Sequence, residues 1–163
     1  TADRKEDFHL RVSEREFLYR EAAKIGEVAI AFVNAALALT EDMAPTILAF
    51  AGQVEKEIAL SNFRTDTASR IPRALIRFIH YFGDRSPGDL LAVPHIDKGG
   101  FTLHLHESDP GLERLKYDGR EWLSMDFGDD ETIIIPGLRL QHRTRSDMVA
   151  TCHRVVANQE TAR

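Results

Sequence analysis

A chain of 163 residues with 43% hydrophobic and 29% charged residues has the size and composition of one ordinary folded domain, long enough to bury its own core. The formal net charge of -5 comes from interleaved acids and bases, so no basic stripe offers itself to a phosphate backbone and nucleic acid is excluded as a partner. A lone cysteine, Cys152, rules out an internal disulfide, no signal-like pattern opens the chain, and the longest apolar run, residues 28–39, is too short for a bilayer; a cytoplasmic location with no membrane partner is expected.

The text S-E-R-E from Ser13 predicts a capping box in which the Ser13 hydroxyl accepts from the Glu16 amide, opening a first helix. Phe17, Ala22, Ile25, Val28, Ala29, Phe32, Val33 and Ala36 recur at three- and four-residue steps and carry its apolar face to about Leu39. Thr40, with Glu41 and Asp42 behind it, predicts a new N-cap and a second amphipathic helix to about Leu60. Residues 62–72 read as a connection.

Beyond Pro72 the period changes. Residues 74–82, 90–96, 101–107, 112–117, 121–125, 132–135, 138–144 and 149–157 are short runs rich in branched and aromatic side chains, separated by Gly-, Pro- and Asp-bearing turns. Asp118-Gly119 between two of them predicts a hairpin. Short strands with tight turns and no helices between them predict a mainly β fold, an antiparallel sandwich or barrel with N-terminal helices. The expected organisation is a single domain over 1–163, with 13–61 as helical support and 74–163 as the jelly-roll core.

Among seven histidines, His95 stands in H-I-D, where residues i and i+2 of an extended strand point to the same side. A jelly-roll barrel would bring His153, in the last strand, across its mouth to the same place. Two imidazoles and one carboxylate that leave open positions on a metal are the arrangement expected of a non-haem Fe(II) oxygenase. His104 and His106 share a parity on the next strand and either both face this place or are both covered. Arg139, Arg143 and Arg145, read as one strand, would form a one-sided basic row. Trp122 and Cys152 read as packing residues.

The order of motifs extends the argument. From His95 the chain runs H-I-D-K-G-G-F-T-L-H-L-H-E, then G-L-E-R-L from Gly111, D-G-R-E-W-L from Asp118, T-I-I-I-P-G-L-R-L-Q from Thr132, and C-H-R-V-V-A-N-Q-E-T-A-R from Cys152. This succession resembles the Fe(II)/2-oxoglutarate-dependent oxygenases, in the branch similar to isopenicillin N synthase and the plant dioxygenases, over roughly residues 76–163. The resemblance implies a double-stranded β-helix, or jelly-roll, barrel in which His95, Asp97 and His153 hold Fe(II). Arg163, ten residues after His153, matches the arginine that clamps the distal carboxylate of 2-oxoglutarate, a task suited to the guanidinium fork. Tyr81 stands near a family tyrosine that assists the co-substrate.

The implied activity is hydroxylation of an unactivated C–H bond in a small-molecule substrate, with free amino acids as the first class to consider, while dioxygen and 2-oxoglutarate become succinate and carbon dioxide. Asp97 favours hydroxylation over halogenation, because halogenating relatives have a small residue there. Two departures stand out: Ile135-Pro136-Gly137 replaces the family's usual turn, and the serine two residues past the arginine has no counterpart in a chain that stops at Arg163. A somewhat longer single-domain enzyme is therefore expected. The rival reading is a cupin-like metal-binding jelly-roll module without oxygenase turnover.

Overall fold

The computed structural model describes residues 5–58, 75–128 and 130–158. The chain divides into two compact units, one formed by Asp7–His80 and the other by Tyr81–Arg163 with Thr1–Glu6.

The first unit takes in most of β1 (Lys5–Arg11) and of its partner β2 (Leu75–Tyr81), and a 3-10 turn (Val12–Glu14) that leads into α1 (Arg15–Ile25) and α2 (Glu27–Ile58). The capping box does not form. Ser13 lies inside the 3-10 turn, and the residue that opens α1, Glu14, makes no side-chain cap bond. The break between the helices falls at Gly26 rather than at Thr40. Gly26 has a φ of 130°, open to glycine and strained for other residues, and its N–H still bonds Ala22 O as the first helix ends. Thr40 instead turns its hydroxyl back onto Ala36 O, 3.1 Å away, and the helix runs through it and through Pro45.

Moving the break changes which apolar residues meet. Leu10, Leu18, Ala22, Val33, Ala36 and Leu37 form the buried cluster, with Phe78 and Tyr19 against it, whereas Phe17, Ile25 and Val28 of the expected face are exposed. The rings of Phe8, Phe32 and Phe78 meet in tilted pairs, and Arg77 reaches across from β2 to Asp7 and His9 on β1. Contrary to the expectation of an apolar run too short for a bilayer, Glu27–Val54 is a continuous helical stretch of 28 residues, long and apolar enough by composition to cross one. Glu41 and Asp42 fall within that stretch, Val33, Ala36 and Leu37 lie in a protein core, and its apolar window is 22% buried.

The second unit is built of antiparallel strands. β3 (Leu90–Ile96), β8 (Cys152–Val156), β5 (Leu112–Leu115) and β6 (Trp122–Ser124) form one sheet in that spatial order, and β4 (Phe101–His104) pairs with β7 (Ile133–Pro136). The architecture is mainly β with N-terminal helices, and the sheets are those of a jelly roll. The Asp118-Gly119 hairpin joins β5 to β6, with Gly119 at a φ of 71°. Where a strand was expected over 138–144, the chain forms the short helix α3 (Leu138–Arg143). Thr144, fully buried, bonds Leu140 O and accepts from Met148 N–H, and Arg145 and Ser146 at positive φ turn the chain away. The basic row therefore does not exist as a strand face: Arg139 and Arg143 lie one helical turn apart, and Arg145 stands in the turn.

Candidate metal centre

β8 threads between β3 and β5, and its register sets His153 directly opposite His95. Facing residues of an antiparallel pair project to one side, and the two imidazoles stand with ring centroids 4.3 Å apart. Each ring is oriented by its own strand. His95 Nδ1 lies 2.8 Å from Val93 O and His153 Nδ1 lies 3.1 Å from Thr151 O. A carbonyl oxygen can only accept, so each Nδ1 carries the proton, and in a neutral ring the lone pair then belongs to Nε2.

Asp97 comes one residue after the end of β3, so its place is set by the following loop rather than by strand alternation. The carboxylate has two distinct oxygens. Oδ2 accepts the Thr102 hydroxyl at 2.5 Å, and Oδ1 lies 4.0 Å from His95 Nε2. One potential ligand atom from each of His95, Asp97 and His153 lies within 4.8 Å of the others. Exposure is graded across the three, from His153, buried at 7%, to His95, which is exposed. Burial holds His153 below the ordinary histidine range; the bond to Thr151 O opposes this shift and the nearby His95 reinforces it.

The surroundings divide by strand parity. Arg154, next to His153 on β8, points to the other side. There its guanidinium bonds Glu113 at 2.6 Å and stacks over the Trp122 ring at 4.2 Å, a packed pair that ties β8 to β5 and β6. Trp122 is thus a packing residue, as expected, with a cation on its face. On β4, His104 shares Thr102's parity; it is half-buried, edge-on to Phe127 at 5.3 Å, with Nε2 3.4 Å from Glu107. His106 is exposed beyond the end of β4.

Of the five site residues expected from the sequence, His95, Asp97 and His153 are brought together. Tyr81 ends β2, half-buried, with its carbonyl accepting from Arg85 at 2.6 Å. Arg163 lies outside the described residues. Thr102, which holds the Asp97 carboxylate, was not singled out beforehand. Its sequence signals are the threonine-bearing strand that follows H-x-D in the resembling family and its place five residues past Asp97.

The chain's fold can be set beside solved structures. A rice dioxygenase for auxin oxidation matches with a TM-score of 0.77 at 20% identity, over 99% of this chain and 54% of its own. A full-length Neurospora crassa protein, solved in complex with alpha-KG, matches at 0.76 and 16%, over 99% and 50%. A Caulobacter crescentus protein assigned to the 2OG-Fe(II) oxygenase family matches at 0.62 and 22%, over 97% and 53%. The fold is that of the 2-oxoglutarate/Fe(II) oxygenases. The chain spans about half the length of these oxygenase-fold structures. No family model and no curated protein matches it.

Proposed function

We propose that the chain carries the catalytic core of an Fe(II)/2-oxoglutarate-dependent oxygenase that hydroxylates an unactivated C–H bond of a small molecule. The observation that carries this reading is the convergence of His95, Asp97 and His153, with both imidazoles in the tautomer that offers Nε2. The donor set fits the metal: two neutral nitrogens and one carboxylate oxygen suit a divalent ion of intermediate hardness and leave coordination positions for other ligands. His95, Asp97 and His153 would hold Fe(II), which when bound supplies the oxidising power for C–H chemistry with dioxygen and 2-oxoglutarate.

The chain's own residues do the rest. Val93 O and Thr151 O keep the imidazoles in one tautomer and orientation, and the Thr102 hydroxyl fixes one carboxylate oxygen so that the other is free to ligate. Arg163 is proposed to clamp the distal carboxylate of 2-oxoglutarate and Tyr81 to assist it. The carboxylate at position 97 favours hydroxylation over halogenation. Small-molecule chemistry in the solved neighbours, auxin oxidation in the rice enzyme and an alpha-KG complex in the Neurospora crassa protein, supports a small substrate here, with free amino acids as the first class to test.

The test is anaerobic addition of Fe(II) and 2-oxoglutarate, followed by a succinate screen in air across free amino acids and small carboxylates. A visible charge-transfer band and substrate-dependent succinate are expected. No band and no succinate would favour a metal-binding jelly-roll module instead.

A further inference from the structure

The backbone that carries Asp97 is fastened to the turn between β7 and α3. Gly137 N–H donates to Gly100 O at 2.9 Å, Leu138 N–H to Asp97 O at 2.8 Å, and Arg139 N–H to Gly99 O at 3.0 Å. These are amides that a helix start leaves without partners inside the helix, and all three are used on one four-residue loop. Gly137 is buried at the centre of the contact. A Cβ there would stand 2.5 Å from Gly99 O and 2.8 Å from Asp97 O, both of them backbone atoms that cannot yield unless the loop moves. The φ of Gly137 is -108°, a value any residue adopts, so the position demands glycine for space and not for conformation.

We propose that Gly137 is a positioning residue for Asp97: by carrying no side chain it lets three amides pin residues 97–100, and so sets where the carboxylate stands relative to His95 and His153. The proposal rests on the metal-site reading above and adds to it a part of the chain forty residues from the ligand it controls. Asp97 lies past the end of β3, so no ladder hydrogen bond of that strand does this work.

The experiment is a Co(II) titration of the whole chain, read by its visible spectrum, for wild type, Gly137→Ala and Leu138→Pro, each also in an Asp97→Ala background. Leu138→Pro replaces the N–H that holds Asp97 O with a ring carbon facing the same oxygen, so it both deletes this bond and presses the loop away. It does so at the first helical position, where proline is best tolerated, after an extended residue that suits a following proline. Both variants should weaken Co(II) by about tenfold or more and shift the spectrum toward that of Asp97→Ala, while adding nothing in the Asp97→Ala background. If Gly137→Ala does not fold, Leu138→Pro decides. Wild-type affinity in the variants, or equal weakening in both backgrounds, overturns the positioning role alone. A wild type that takes up no Co(II) overturns the metal-site reading and the proposal with it.

Discussion

Thr102→Val keeps the outline of the side chain and deletes one hydroxyl, the donor to Asp97 Oδ2. At 2.5 Å the contact lies at the short end of charge-assisted O–H···O⁻ bonds. It exists before any ion arrives, so its contribution to metal affinity is not its own strength. What counts is the freedom it removes from Asp97 in advance. Immobilising a side chain at binding costs about 0.5–1.5 kcal/mol, which at about 1.4 kcal/mol per decade makes the variant about 2- to 12-fold weaker for metal. A competition titration of Co(II) against a chromophoric chelator resolves that range, and thermal melts of the metal-free protein confirm that the fold is retained. Unchanged or tighter affinity in Thr102→Val would refute the view that the hydroxyl prepares the carboxylate as a ligand.

Asp97→Gly removes a ligand rather than its support and should lower succinate formation by at least about 100-fold, beyond the usual loss for an outer partner; turnover at the wild-type rate would sink the ligand assignment. The depressed pKa of His153 makes the unfolded chain take up this proton at higher pH than the folded one. Its contribution to stability is fully present above the ordinary histidine pKa and is lost as pH falls through the folded value. Melts of metal-free protein from about pH 8 to about pH 5 should show a steeper loss for wild type than for His153→Gln, and parallel curves would contradict the shift. Gly111→Ala places a Cβ against the backbone carbonyl of Val156 inside the β8 ladder, an overpacking that should cost about 1–3 kcal/mol and lower Tm by about 3–9 °C; an unchanged Tm would show that the strand pair yields freely.

How much of this could be read from the amino-acid sequence depends on how local each cause is. His95 and His153 were legible because a strand's alternation and a distinctive succession of motifs both pointed to them. The D-G hairpin was legible because its turn chemistry is contained in two residues. The helix break was not, because Thr40 has two uses for its hydroxyl, capping a new helix or bonding back to Ala36, and tertiary packing selected the second. Residues 138–144 carry branched and aliphatic side chains that suit a strand, yet Gly137 and the buried Thr144 bracket them into one helical turn and a half. Residues 5–11, charged along much of their length, gave no alternation strong enough to predict a strand. Asp97 shows the limit most sharply: its partnership with His95 was anticipated from an alternation that ends one residue before it, and its position depends on amides forty residues away.

The seating of β8 between β3 and β5 joins two histidines separated by 58 residues of chain. Neither half of the pair exists as a ligand set in a partly folded molecule, because loop closure must come first and its entropy is spent before the imidazoles meet. Ion uptake by this centre would therefore report that β3 and β8 have paired. A metal held only by the finished sheet adds RT ln(1 + [M]/Kd) to the native state alone, so the ion would act as a clasp whose concentration sets how far the equilibrium favours the paired strands.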